Sequence, residues 1–99
     1  MANQPRVLWS SRAIKDLENI IHYHETNWSE KEVRNFKLKL EKAISLISTR
    51  PKFFRLTNFR KNLRRCVLSK QTTIYYQEIE MTIYIVSLFD NRRSPSKQP

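Results

Sequence analysis

The sequence predicts an α+β domain, ordered β-α-α-β-β-β, with a helical hairpin packed on one face of a small, mainly antiparallel sheet. Three observations predict it. Apolar residues recur at three- and four-residue spacing between Ile14 and Ile47, the stripe of amphipathic helices. Beyond Pro51 the texture changes to short runs rich in β-branched and aromatic residues, which read as strands. Ninety-nine residues with no repeat or linker leave room for a single domain over residues 1–99.

The elements follow in order. Residues 6–9 (Arg6-Val7-Leu8-Trp9) read as a short strand ended by Ser10-Ser11, either of which can cap a helix. Ile14, Leu17, Ile20, Ile21, His24 and Trp28 give the first helix its apolar stripe. Ser29-Glu30-Lys31-Glu32 fits a capping box, in which Ser29 and Glu32 satisfy each other's backbone donors. Val33, Phe36, Leu40, Ala43, Ile44 and Ile47 give the second helix a buried face, and Arg50-Pro51 stops it. Residues 63–68, 72–79 and 82–89 read as three strands joined in series, hence antiparallel. The turn near Ile79-Glu80-Met81 lacks the usual Asn-Gly or Asp-Gly signal. The expected core joins Ile14, Leu17, Ile21, Val33, Phe36, Leu40, Ile44, Ile47, Ile74, Tyr76 and Ile85. The polar tail after Asn91 is expected to fray, residues 94–99 above all.

Composition excludes several function classes. Glycine is absent, which removes the Gly-rich loops that bring backbone close to phosphate. A nucleotide cofactor is therefore not expected. Cys66 is the sole cysteine, so neither an internal disulfide nor a Cys-rich zinc site can form. No apolar run reaches the roughly 18–20 residues of a membrane span, and the first residues lack a signal peptide's apolar stretch. The cytoplasm is the expected location, with no membrane partner.

Charge points toward polyanions. Nineteen Lys+Arg stand against nine Asp+Glu, a net +10. Between Arg50 and Lys70 lie eight basic residues and no acid (Arg50, Lys52, Arg55, Arg60, Lys61, Arg64, Arg65, Lys70), with Phe53, Phe54 and Phe59 among them. Such a run invites an acidic partner, while the phenylalanines are expected to dock the segment onto the core. Arg92-Arg93 forms a second basic pair. Other chemistry is thin. His22 and His24 are two apart on a helix and cannot share a metal; Cys66 reads as a small core residue. Tyr75 and Tyr76 alternate faces, so one should be core and the other exposed. An exposed tyrosine beside arginines could stack on a base or move protons, although structural roles are the simpler reading. Arg64 and Arg65 should point to opposite faces.

The run Val7-Leu8-Trp9-Ser10-Ser11-Arg12-Ala13-Ile14-Lys15-Asp16-Leu17 resembles the first strand and helix of RelE/ParE-type toxins. Ile20-Ile21-His22-Tyr23, the helix end from Ile44 to Pro51, Leu63-Arg64-Arg65-Cys66-Val67, Thr73-Ile74-Tyr75-Tyr76 and Leu88 to Pro95 continue the likeness across residues 5–95. The resemblance implies the toxin of a bacterial type II toxin–antitoxin (plasmid stabilisation-type) module, held inactive by a cognate antitoxin. Two branches follow from it. RelE-like members cut mRNA on the ribosome, which here would draw on Arg64, Arg65, Lys61 and Tyr75; ParE-like members inhibit DNA gyrase. RNA cleavage needs a base for the 2′-hydroxyl and an acid for the leaving oxygen, which RelE-like enzymes meet with a C-terminal Tyr or His-Tyr pair. Here no His or Tyr follows Tyr84, and Asp90 stands where many ParE-like members carry His. The ParE-like branch is therefore favoured, with Arg60, Lys61, Arg64, Arg65, Arg92 and Arg93 expected to bind target or antitoxin and no metal or cofactor required. A non-toxic nucleic-acid-binding module is the third reading.

Overall fold

The computed structural model describes residues 5–90. Their order is β1 (Arg6–Trp9), α1 (Ser11–Asn27), α2 (Glu30–Thr49), β2 (Arg64–Val67), β3 (Thr72–Ile79) and β4 (Thr82–Asp90). The four strands form one sheet ordered β1-β4-β3-β2. β1 runs parallel to β4, and the other two pairings are antiparallel. The first strand therefore pairs with the last, closing the chain around its helical hairpin.

Local chemistry starts each helix. Ser10 Oγ accepts from the Ala13 N–H at 2.9 Å and donates to the Val86 carbonyl at 2.7 Å, so one hydroxyl caps α1 and ties it to β4. The capping box of α2 forms in full: Glu32 N–H donates to Ser29 Oγ at 3.2 Å, and Ser29 N–H donates to Glu32 Oε1 at 3.1 Å. α2 ends at Thr49, ahead of Pro51, where the residue before proline leaves helical geometry.

The β3–β4 pairing contains a bulge. Tyr75 stands opposite Ser87 and Tyr76 opposite Ile85, which leaves Val86 as the extra residue. β1 has ended at this level, and α1 takes over its role. Ser10 holds the Val86 carbonyl, and Asp16 Oδ2 accepts from the Leu88 N–H at 3.1 Å. These groups would otherwise lie unpaired at a partly buried edge.

The core lies between the hairpin and the sheet. Ile20, Phe36, Leu40 and Ile47 meet Cys66, Ile74, Tyr76, Ile83, Ile85 and Leu88 there. Val33 is buried as well, and Leu17, Ile21 and Ile44 pack at its margin. Ile14 departs from expectation: it is 47% exposed, and Ala13 is fully buried in its place. The stripe of α1 runs through Ala13, Leu17, Ile20 and His24, one position earlier at its start. A residue with only a methyl group brings the helix close enough for Asp16 to reach Leu88. His24, 1% exposed, stacks on Trp28 with ring centroids 3.5 Å apart and lies edge-on to Phe36.

Candidate functional site

The helices cover one face of the sheet and leave the other open. Strand alternation sorts the residues. Cys66, Ile74 and Leu88 form one row on the helix side, and Tyr76 and Ile85 belong to another. Arg65, Tyr75 and Ser87 form a row on the open side, as do Val67, Thr73 and Phe89. Nearer β1, Leu8, Tyr84 and Gln77 share a row, with Arg6, Thr82 and Ile79 beyond it. None of these open-face positions is acidic; Glu78 and Asp90 fall on the opposite register.

The chain between α2 and β2 shapes this face. Residues 55–57 run beside β2 as a short antiparallel edge: Arg65 N–H donates to Arg55 O at 3.0 Å, and Thr57 N–H donates to Leu63 O at 2.7 Å. The following residues fold over the open face. Gln77 Nε2 reaches Lys61 O at 3.5 Å, and Asn62 Nδ2 reaches Glu78 O at 3.4 Å. Asn62 takes a positive φ of 56°, which asparagine tolerates better than most residues.

This arrangement explains Tyr75. Both tyrosines of the pair are buried, Tyr76 fully and Tyr75 at 5% exposure, whereas alternation alone predicts one exposed. Tyr75 does point to the open side, but the Phe59 ring lies edge-on against it at 5.8 Å. Tyr76 points to the helix side and donates its hydroxyl to Pro51 O at 2.7 Å. Burial pushes its hydroxyl up to about 12, against a smaller lowering by Arg64. Burial likewise raises the Cys66 thiol, which keeps it protonated and unreactive. Of the three phenylalanines expected to dock the segment, Phe54 packs edge-on against Tyr76 and Phe59 against Tyr75. Phe53 departs from that expectation: it is 64% exposed, with its ring edge-on to Phe54 at 5.1 Å.

The predicted site residues divide. Arg64 lies on the helix-side register and donates Nη1 to Phe54 O at 2.7 Å and to Lys52 O at 3.4 Å. Arg65 is exposed on the open side, beside Tyr75. Arg60 rims a groove of about 540 Å³ on that side, whose lining includes Leu8, Gln77, Ile79 and Tyr84. Lys61 is exposed in the covering loop. Arg92, Arg93 and the 94–99 tail lie outside the described residues. Two open-face cations, Arg6 and Arg55, carried no individual signal in the sequence. Arg55 was one of a basic run, and Arg6 joins the face only through the long-range pairing of β1 with β4.

Among the described residues no three His, Cys, Asp or Glu side chains gather in a way that could hold a metal. No described helix is long and apolar enough to cross a membrane.

Comparison with solved structures gives the same architecture. A chain of the chromosomal ParDE toxin–antitoxin system of P. aeruginosa superposes with a TM-score of 0.73 at 11% identity, covering 90% of this chain and 98% of that one. A chain of the E. coli DinJ–YafQ toxin–antitoxin complex gives 0.63 at 11% identity, covering 92% and 97%. A metal-bound toxin from Helicobacter pylori gives 0.63 at 19% identity, covering 91% and 98%. At these identities the likeness is one of fold. No curated protein sequence matches significantly. The family model for the ParE toxin of the type II toxin–antitoxin system, parDE, matches residues 7–95. Nearly the whole chain, from β1 past the end of β4, therefore carries the pattern of that family, and the chain belongs to the ParE toxins of type II toxin–antitoxin modules.

Proposed function

We propose that this toxin arrests bacterial growth from the cytoplasm by acting on DNA gyrase, and that a cognate antitoxin neutralises it by covering the open face. The observation that carries the reading is the state of the two tyrosines. Tyr75, the hydroxyl nearest Arg65, lies under Phe59, and Tyr76 is committed to Pro51 O. His22 and His24 belong to α1, on the helix layer. The open face presents arginines and an apolar groove. Its exposed tyrosine, Tyr84, stands between Leu8 and Gln77 in that groove, with no histidine among the described residues of that face to complete an acid–base pair aimed at a ribose. It is built to bind. Family membership and the ParDE likeness support the same branch. An antitoxin segment with acidic side chains would meet Arg60, Lys61 and Arg65, and its apolar ones would enter the groove. Such contacts speed association and weaken with salt.

Induced expression with DNA, RNA and protein synthesis followed separately tests the target. The expected result is DNA damage and an SOS response before translation falls. Early loss of translation with cut mRNA would instead assign the toxin to the ribosome. Replacing Arg92 and Arg93 together by alanine is expected to abolish arrest. Undiminished arrest would move the working surface to the open face alone.

A further inference from the structure

Arg55 and Arg65 stand directly opposite one another across the antiparallel pairing of residues 55–57 with β2. Residues so placed point to the same face, with Cβ atoms roughly 4.5–5.5 Å apart. Both side chains are exposed, and neither has a carboxylate within 4 Å among the described residues. Like charges in that position destabilise a sheet. A fold that needed only an edge strand here would do better with one of them neutral. The flanking sequence offers no relief: from Arg50 to Lys70 there is no acid, and the open face contributes none.

We propose that this guanidinium pair is a phosphate clamp through which the toxin binds the backbone of duplex DNA directly. Two forks facing one space can each grip a phosphodiester oxygen pair, which arginine does better than lysine. The density of charge favours nucleic acid over an acidic polypeptide. Duplex DNA carries one charge per ~1.7 Å of axis and gains affinity from each neutralised phosphate by releasing counterions. The loop between α2 and β2 carries five basic residues (Arg50, Lys52, Arg55, Arg60 and Lys61), and Arg65 on β2 adds a sixth, a run that suits such a partner. The loop's rings form no flat stacking platform: Phe53 and Phe59, although 64% and 42% exposed, stand edge-on to Phe54 and to Tyr75. A duplex with its bases stacked is the form this surface fits. The inference goes beyond the gyrase reading and does not need it, because DNA binding is measured without gyrase.

The test uses the purified full chain and a fluorescent 20-base-pair duplex, titrated at several salt concentrations. R55Q/R65Q is compared with K31Q/K37Q, which removes the same charge from exposed positions on α2. Loss of two phosphate contacts should lower the slope of log affinity against log salt by about 1.8 and raise Kd about tenfold or more at 50 mM salt. The α2 variant should stay within about twofold of the parent. R55Q alone should melt no lower than the parent, since it relieves the opposed charges. Equal weakening by both double variants would overturn the clamp, leaving net charge as the cause. Tighter binding of single-stranded RNA or of polyglutamate than of the duplex would overturn the choice of partner. Failure of gyrase inhibition with duplex binding intact would sink the gyrase reading alone.

Discussion

Arg64 Nη1 donates to the Phe54 carbonyl at 2.7 Å, so the first residue of β2 fastens the loop that arrives from α2. Its neighbour Arg65 points the other way and holds nothing in the described chain. The two arginines should therefore separate in experiment. Arg64→Ala removes a charge-assisted hydrogen bond and should cost about 1.5–3 kcal/mol. Arg65→Ala should stay within ~0.5 kcal/mol. Urea denaturation of both variants measures the difference. Equal losses would mean that the loop is held chiefly by Tyr76 and the phenylalanines.

The β3–β4 turn places Glu80 at φ 45° and Met81 at φ 61°. Two successive positive-φ residues match a two-residue type I′ hairpin, which favours Asn-Gly. A side chain in the left-handed region costs roughly 1–2 kcal/mol. Glu80→Asn with Met81→Gly should raise stability by about 1–2 kcal/mol. For a domain of this size that is a rise in Tm of roughly 4–8 °C per kcal/mol. An unchanged Tm would show that the turn's side chains compensate for their own backbone.

The hairpin turn also marks the limit of what could be read in the sequence. Where structure follows from near neighbours, the sequence reading holds: β1 and β3 keep their bounds, Ser29 and Glu32 form their capping box, and α2 stops before Pro51. Where it depends on distant contacts, the reading falls short. Nothing near Tyr75 says that Phe59 will cover it. Nothing near Arg55 says that it will face Arg65, because that pairing exists only once the loop lies beside β2. The open face is legible as charge in the Arg50–Lys70 run. Its geometry is not.

The first helix tests the same point through one residue. Ala13 is fully buried while Ile14 is 47% exposed, although isoleucine is the more apolar of the two. Asp16 explains the choice, since its bond to the Leu88 N–H requires α1 to lie close against β4. Ala13→Leu would force the helix outward and should cost about 1–3 kcal/mol. Ile14→Ser should cost less than about 1 kcal/mol. Asp16→Ala, which leaves the Leu88 N–H unpaired, should cost about 1–3 kcal/mol. Thermal and urea unfolding rank the three. A costly Ile14→Ser with a tolerated Ala13→Leu would put the helix in the other phase.

Tyr76 gives the fold a dependence on alkaline pH. Its hydroxyl, raised to about 12 by burial, ionises near 10 in an unfolded chain. Between those values the folded state holds a proton that the unfolded state has lost, so stability falls as pH rises. The contribution is fully present below pH 10 and disappears as pH passes through about 12. Tyr76→Phe has no proton to lose there, but it leaves the Pro51 carbonyl without its donor. It should be less stable than the parent at pH 7 by about 1–3 kcal/mol, and its stability should decline less steeply from pH 10 to 12. The lysines and the other tyrosines are common to both proteins, so the difference between their unfolding curves isolates this hydroxyl. Curves that run parallel across that range would mean that Tyr76 ionises as freely in the folded toxin as in the unfolded chain.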